Sequence, residues 1–204
     1  MTYFYNLQYK TFLVDGIHSI PEGAIAVSET DYQHLINGRA KGREIVLMGD
    51  TLTLTSPRPS DYHTLQGYEW VISDDMLAAQ RKAQIDQVRT QINALRDTKI
   101  NGGVYVSEID KWIDSDATAE RNLLSVKATF DLIDNLPPIA WTCADNSQIL
   151  LDKQTLLVIW QALLTAKTSN HANALKHKEA LAQSTNPLEY DYSDGWTDNY
   201  QEAK

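Results

Sequence analysis

Glu44-Ile45-Val46-Leu47-Met48-Gly49-Asp50-Thr51-Leu52-Thr53-Leu54-Thr55 is the best-specified stretch of this 204-residue chain. Glycine in the first place of a two-residue turn is the type II′ pattern, so Glu44–Met48 and Thr51–Thr55 are expected to pair as a hairpin. The turn fixes the register: Leu47 faces Leu52 and Ile45 faces Leu54. Those four apolar side chains share one face, and Val46, Met48, Thr51 and Thr53 take the other, so the first face is expected to lie on a core. Pro57 and Pro59 end the sheet signal, because neither can donate a ladder hydrogen bond.

Upstream, Tyr3-Phe4-Tyr5 and Thr11–Val14 have the composition of two short strands, and Pro21 and Gly23 then interrupt. Ser28-Glu29-Thr30-Asp31 has the form of a capping box with aspartate in the glutamate position. The helix that follows carries Tyr32, Leu35 and Ile36 on one face, and Gly38 is expected to end it in the left-handed conformation.

Downstream of Trp70-Val71-Ile72, Ser73 caps a helix with Asp74 and Asp75 in its first turn, where the helix dipole favours carboxylates. Ile85, Val88, Ile92 and Leu95 give that helix one narrow apolar stripe, suited to pairing with another helix or to bridging two units. Gly102-Gly103 stops it. Val104-Tyr105-Val106 with Trp112-Ile113 reads as a second hairpin. Residues 117–134 form an amphipathic helix through Leu123, Val126, Phe130 and Ile133, followed by Pro137-Pro138. A third hairpin is expected across Ala144-Asp145-Asn146-Ser147, with Cys143 opposite Gln148 and Trp141 opposite Leu150. The last helix starts near Asp152, shows Leu156, Ile159, Trp160 and Leu163 on one face, and runs to about Ser184. The fold class is α+β: a small N-terminal β-rich unit with one helix (1–73), a long connecting helix (74–99), and a C-terminal unit of helices and β-hairpins (100–204).

Charge narrows the function. The chain carries 18 basic and 27 acidic side chains, a formal balance of −9. That sign gives no general attraction to phosphates, which argues against a nucleic-acid partner, and the same sign argues against an anionic membrane. The longest apolar run, Leu156–Trp160, is far short of the roughly 20 residues of a membrane span, and the start lacks the basic flank and apolar stretch of a signal peptide, so synthesis in the cytoplasm is expected. Residues 1–75 hold 5 basic against 10 acidic side chains, residues 76–185 hold 12 against 12, and residues 186–204 hold 1 against 5. The acidic, aromatic segment Asn186–Trp196 is either a docking strip or a segment folded back on its own domain, the second being the commoner arrangement.

The chemistry of catalysis finds little support. His171 and His177 lie roughly 240° apart around one helix and cannot share a metal; solvation is expected for both. Asp114 and Asp116 begin like a calcium loop, but Ala119 stands where glycine is needed and Ser125 where a bidentate glutamate belongs. Gly38–Arg43 is basic and glycine-bearing, yet it follows a helix and lacks the Lys-Ser/Thr pair of a phosphate loop. Cys143, the single cysteine, excludes an internal disulfide and a thiolate zinc site, and reads as a packed strand thiol. No catalytic, cofactor-binding or metal-binding residue is assigned, and no enzymatic activity is expected. The aromatic residues are more informative: Tyr3, Tyr5, Tyr32, Tyr68 and Trp70 fall where the core is small, and Tyr3, Tyr5, Phe12, Tyr32 and Trp70 are the candidate partner-binding residues. Such rings either fill that core or anchor a partner.

The N-terminal residues Tyr3-Phe4-Tyr5, Ile20-Pro21, Ala24-Ile25, Ser28, Tyr32, Leu35, Gly38, Gly42 and the Pro57/Pro59 pair resemble the tail-fibre assembly proteins, or fibre chaperones, of tailed phages. From Ile85 onward the chain is similar to a domain of uncharacterised function that recurs in phage tail-fibre genes, through Arg96-Asp97, Gly102-Gly103-Val104, Asp116, Trp141, Asp145-Asn146, His171, Leu175 and Gly195-Trp196. The usual Asp-Gly ahead of the second strand of the 104–113 hairpin is absent. The resemblance implies a protein that binds a tail-fibre protein at its C-terminal region and aids its folding, trimerisation or attachment, without a cofactor. It implies action in the host cytoplasm during assembly, with retention on the virion tail as an open alternative. The rival readings are a permanent structural adaptor of the fibre and, from another class, a cell-surface-degrading enzyme. Oligomeric state is left open.

Overall fold

Gly49 takes φ +61° and the hairpin forms as its turn dictates: β4 (Ile45–Met48) pairs antiparallel with β5 (Thr51–Leu54), Leu47 opposite Leu52 and Ile45 opposite Leu54. The computed structural model describes residues 2–200 of an α+β chain, which divides into two compact units between Arg81 and Lys82.

In the first unit, β1 (Tyr3–Asn6) lies between β2 (Thr11–Val14) and β3 (Ile25–Val27), antiparallel to both. The third strand escapes the sequence reading because three residues show too little alternation beside Pro21 and Gly23. Helix α1 (Glu29–Arg39) starts at Ser28, whose Oγ accepts from the Asp31 N–H at 3.1 Å. The Ser28 hydroxyl in turn donates to the Asp31 carboxylate at 2.6 Å, so the acid closes the cap on the hydroxyl instead of the backbone.

Gly38 does not end α1. It is a helical residue packed against Leu54, where any Cβ would collide with that side chain. Gly42 takes the left-handed conformation instead, at φ +76°, with Gly42 N–H bonded to the Arg39 carbonyl and Arg43 N–H to that of Gly38. That pair of bonds is the Schellman arrangement.

The core of this unit is Tyr5, Val27, Leu35 and Ile45, with Tyr3, Phe12, Tyr32, Leu52 and Leu54 against it. Leu47 is 39% exposed, so of the four apolar side chains on that face Ile45, Leu52 and Leu54 reach the core and Leu47 stays outside it. A further hairpin, β6 (Thr64–Gln66) with β7 (Glu69–Val71), was not anticipated; its Gly67-Tyr68 turn repeats the glycine-first chemistry, with Gly67 at φ +64°.

The second unit holds most of α2 (Asp74–Asn101), β8 (Val104–Val106), β9 (Lys111–Ile113), α3 (Ala117–Leu132), β10 (Ile139–Thr142), β11 (Gln148–Leu151) and α4 (Lys153–Gln183). The apolar stripe of α2 is used inside this unit: Val88 and Ile92 pack on Ala174 and Leu181 of α4. The main core joins both hairpins to α3 and α4 through Val106, Ile113, Leu123, Phe130, Leu151, Ile159 and their neighbours. Asp110 takes φ +52° in the β8–β9 loop, the left-handed place a glycine would otherwise fill.

Two local expectations for this unit are corrected. The β10–β11 pairing is shifted by one residue: Trp141 faces Ile149 and Thr142 faces Gln148. Asn146 sits at φ +61° and its N–H reaches the Cys143 carbonyl, so the loop has three residues and Cys143 faces Ser147, whose carbonyl accepts its N–H at 2.9 Å. Ile133 is extended, at φ −120°, and lies outside α3.

Candidate functional site

Four of the five rings proposed as partner anchors come together in the first unit. Tyr3 stacks on Tyr32 with ring centroids 4.0 Å apart and planes 11° apart. Phe12 meets Tyr32 edge-on at 4.9 Å and Tyr5 at 4.9 Å. The strand period explains the grouping: Tyr3 and Tyr5 share one face of β1, Phe12 stands opposite Tyr5 on β2, and α1 lays Tyr32 across them. Tyr5 is 1% exposed and belongs to the core, with its hydroxyl held protonated to higher pH by burial. Tyr3, Phe12 and Tyr32 are half-buried and flank β2, an edge strand.

Trp70 stands apart from these four. Its Nε1–H donates to the Ser56 carbonyl at 2.8 Å, and the Arg58 guanidinium lies 5.8 Å from the centre of its ring. Among described residues, no ring contact joins Trp70 to the tyrosine and phenylalanine group.

The remaining sequence candidates have structural work. Asp116 caps α3, accepting from Thr118 and Ala119 N–H at 2.9 and 2.7 Å. Asp114 beside it is pushed up by burial and then by the Asp116 charge. The Cys143 thiol is buried, and that burial pushes it up, which keeps it protonated and a poor nucleophile. Among the described residues, no group of three or more His, Cys, Asp or Glu side chains is placed to hold a metal ion. No described helix is long and apolar enough to cross a membrane.

His177 overturns its expected solvation. It is 6% exposed, because the segment after α4 folds back along α2 and α4. Its Nε2 meets the Asp194 carbonyl at 2.9 Å, its Nδ1 meets the Tyr190 hydroxyl at 2.9 Å, and its ring stacks on Trp196. Two buried amides on α4 complete the clamp: Asn173 donates to the Asp194 carbonyl at 2.8 Å, and Asn170 donates to Thr197 Oγ1 at 2.8 Å. The sequence alone does not single out Asn170 and Asn173. Their signal was two amides three apart on the apolar side of a helix, a placement that demands partners once buried. His171 is exposed, as expected.

The second unit also carries an open groove of about 610 Å³ between the β8–β9 hairpin, α4 and the returning segment, walled by Tyr105, Trp112 and Trp196 with Glu108, Gln161 and Asp198 among its polar residues.

No curated protein and no solved structure matches the chain. A family described as "Domain of unknown function (DUF4376)" matches residues 78–194, which takes in most of α2, both hairpins of the second unit, α3, α4 and the clamped segment up to Asp194. The match spans more than half of the sequence, and the chain belongs to the DUF4376 family.

Proposed function

We propose that the chain is a tail-fibre assembly protein of a tailed phage, which binds the fibre's C-terminal region through its first unit and assists folding, trimerisation or attachment. The observation that carries this reading is the half-buried stack of Tyr3, Phe12 and Tyr32 beside the edge strand β2. Rings already held by their neighbours lose little side-chain entropy on binding, and a second protein can complete their burial. The first 75 residues carry a net charge of −5, which favours a partner surface that is apolar at its centre and basic at its rim. The resemblance of the first unit to fibre chaperones rests partly on the same residues, Tyr3, Tyr5 and Tyr32. The second unit, which carries the family match, then serves as scaffold or second contact.

The test is co-expression of the full chain with the neighbouring fibre gene. The fibre is expected to form detergent-resistant trimers and to co-purify with the chain. Equal trimer yield without the chain, with no co-purification, contradicts the proposal. Presence of the chain in purified particles separates a permanent adaptor from a factor released after assembly.

A further inference from the structure

Helix α4 presents a face that its own unit leaves uncovered. At about 100° per residue, Lys153, Leu157, Leu164, Thr168, Leu175 and Glu179 fall within about 40° of one line along the helix. All six are exposed, and the three leucines are 49%, 57% and 60% accessible. Their separations of four and seven repeat every eleven residues, close to the period of the helix itself, so the strip runs nearly straight along α4, with exposed Gln161 and His171 at its edges.

The strip is complementary to itself when reversed. Turned end for end about the level of Ala166, Leu157 meets Leu175 of a second copy, Leu164 meets Thr168, and Lys153 meets Glu179. Neither Lys153 nor Glu179 makes an ion pair with another described residue. Lys153 adds only to the field at Asp131, whose carboxylate is already held by Lys127 at 2.6 Å. A parallel pairing would set Lys153 against Lys153 and Glu179 against Glu179, which like-charge repulsion opposes.

We infer that α4 pairs with α4 of a second copy of this chain, antiparallel and across a two-fold axis at the level of Ala166. Such an interface is isologous, so each residue pair occurs twice. The inference stands on the second unit alone and is independent of what the first unit binds.

Light scattering on the purified full chain is expected to give twice the 23.0 kDa chain mass. Leu157→Cys with Leu175→Cys should yield a covalent dimer on oxidation, while each single variant stays uncrosslinked. Within one chain these positions are about 27 Å apart along the helix, beyond any disulfide, and Cys143 is buried. Lys153→Glu or Glu179→Lys alone should weaken dimerisation about ten-fold, because symmetry counts each repulsion twice; the two together should restore it. Both charges are exposed, so restoration also excludes misfolding as the cause. A monomer at every concentration, a three-chain mass, crosslinking by Leu157→Cys alone, or no restoration in the double variant overturns the inference.

Discussion

His177 ties two points of the C-terminal segment, Tyr190 and Asp194, to α4. The Asp194 carbonyl can only accept, so Nε2 donates to it, while Nδ1 and the Tyr190 hydroxyl share a hydrogen bond at 2.9 Å. His177→Ala strands both partners in a buried place and should cost about 1–3 kcal/mol in urea unfolding. His171→Ala, on the exposed side of the same helix, should stay within about 0.5 kcal/mol. Gly195 meets the clamp from the other side: at φ +78° it lets the chain turn, and a Cβ there would lie 2.5 Å from Asn173 Oδ1. Gly195→Ala is therefore expected to destabilise by about 1–3 kcal/mol, through backbone strain and loss of the Asn173 contact. A melt unchanged from the parent chain would contradict the clamp geometry.

Each hairpin depends on one residue that accepts an unusual φ, and whether that residue is glycine decided how well its register could be read. Gly49-Asp50 announces a two-residue turn, and the β4–β5 register follows directly from it. Asn146 and Asp110 occupy the same left-handed region without announcing it, which is why the β10–β11 register was off by one. Helices were legible where a start signal and an apolar stripe coincided, as at Ser28 and Asp152, and α3 was legible from its stripe alone, its Asp116 cap being hidden in what read as the start of a calcium loop. Burial was not legible in the same way. Leu47 and Ile45 are equivalent in the pattern, yet only Ile45 reaches the core, because α1 covers one end of the hairpin. Ile45→Asp is accordingly expected to unfold the first unit, whereas Leu47→Asp should melt near the parent temperature.

The aromatic residues proposed as anchors were legible as a composition. Their grouping into Tyr3, Tyr5, Phe12 and Tyr32 without Trp70 required the strand register. The capping acids of the second unit set a pH dependence as well. Hydrogen bonds from Thr155 hold Asp152 below the usual carboxylate range, and those from Ser147 do the same for Asp145. A folded-state pKa below the unfolded value of about 3.9 adds stability above that pH and loses it as pH falls through the folded pKa. The melting temperature of the second unit should therefore fall as the solution is taken below about pH 4, with a shallower fall in Asp152→Asn. Asp114, pushed up by burial and Asp116, has the opposite sign, and Asp114→Asn should raise the melting temperature at neutral pH.

At the scale of the whole molecule, the division between Arg81 and Lys82 falls inside α2, and the helix beyond it packs on α4 through Val88 and Ile92. Limited trypsin digestion should cut at Arg81 or Lys82 and spare Arg96 and Lys99, leaving a second unit that melts cooperatively. Early cleavage at Arg96 would contradict the packing of α2 on α4. On the proposed function, the ring stack of the first unit is what the fibre contacts. The most direct measurement is the dissociation rate of the full chain from an immobilised trimer of the fibre's C-terminal region, for the parent and for Tyr3→Leu with Tyr32→Leu, which keep apolar bulk in the stack. Loss of buried anchors acts mainly on dissociation, so the variant should leave about ten-fold faster or more, a loss of at least ~1.4 kcal/mol, with an unchanged far-UV spectrum. An unchanged dissociation rate in that folded variant would contradict the assignment of the fibre contact to this stack.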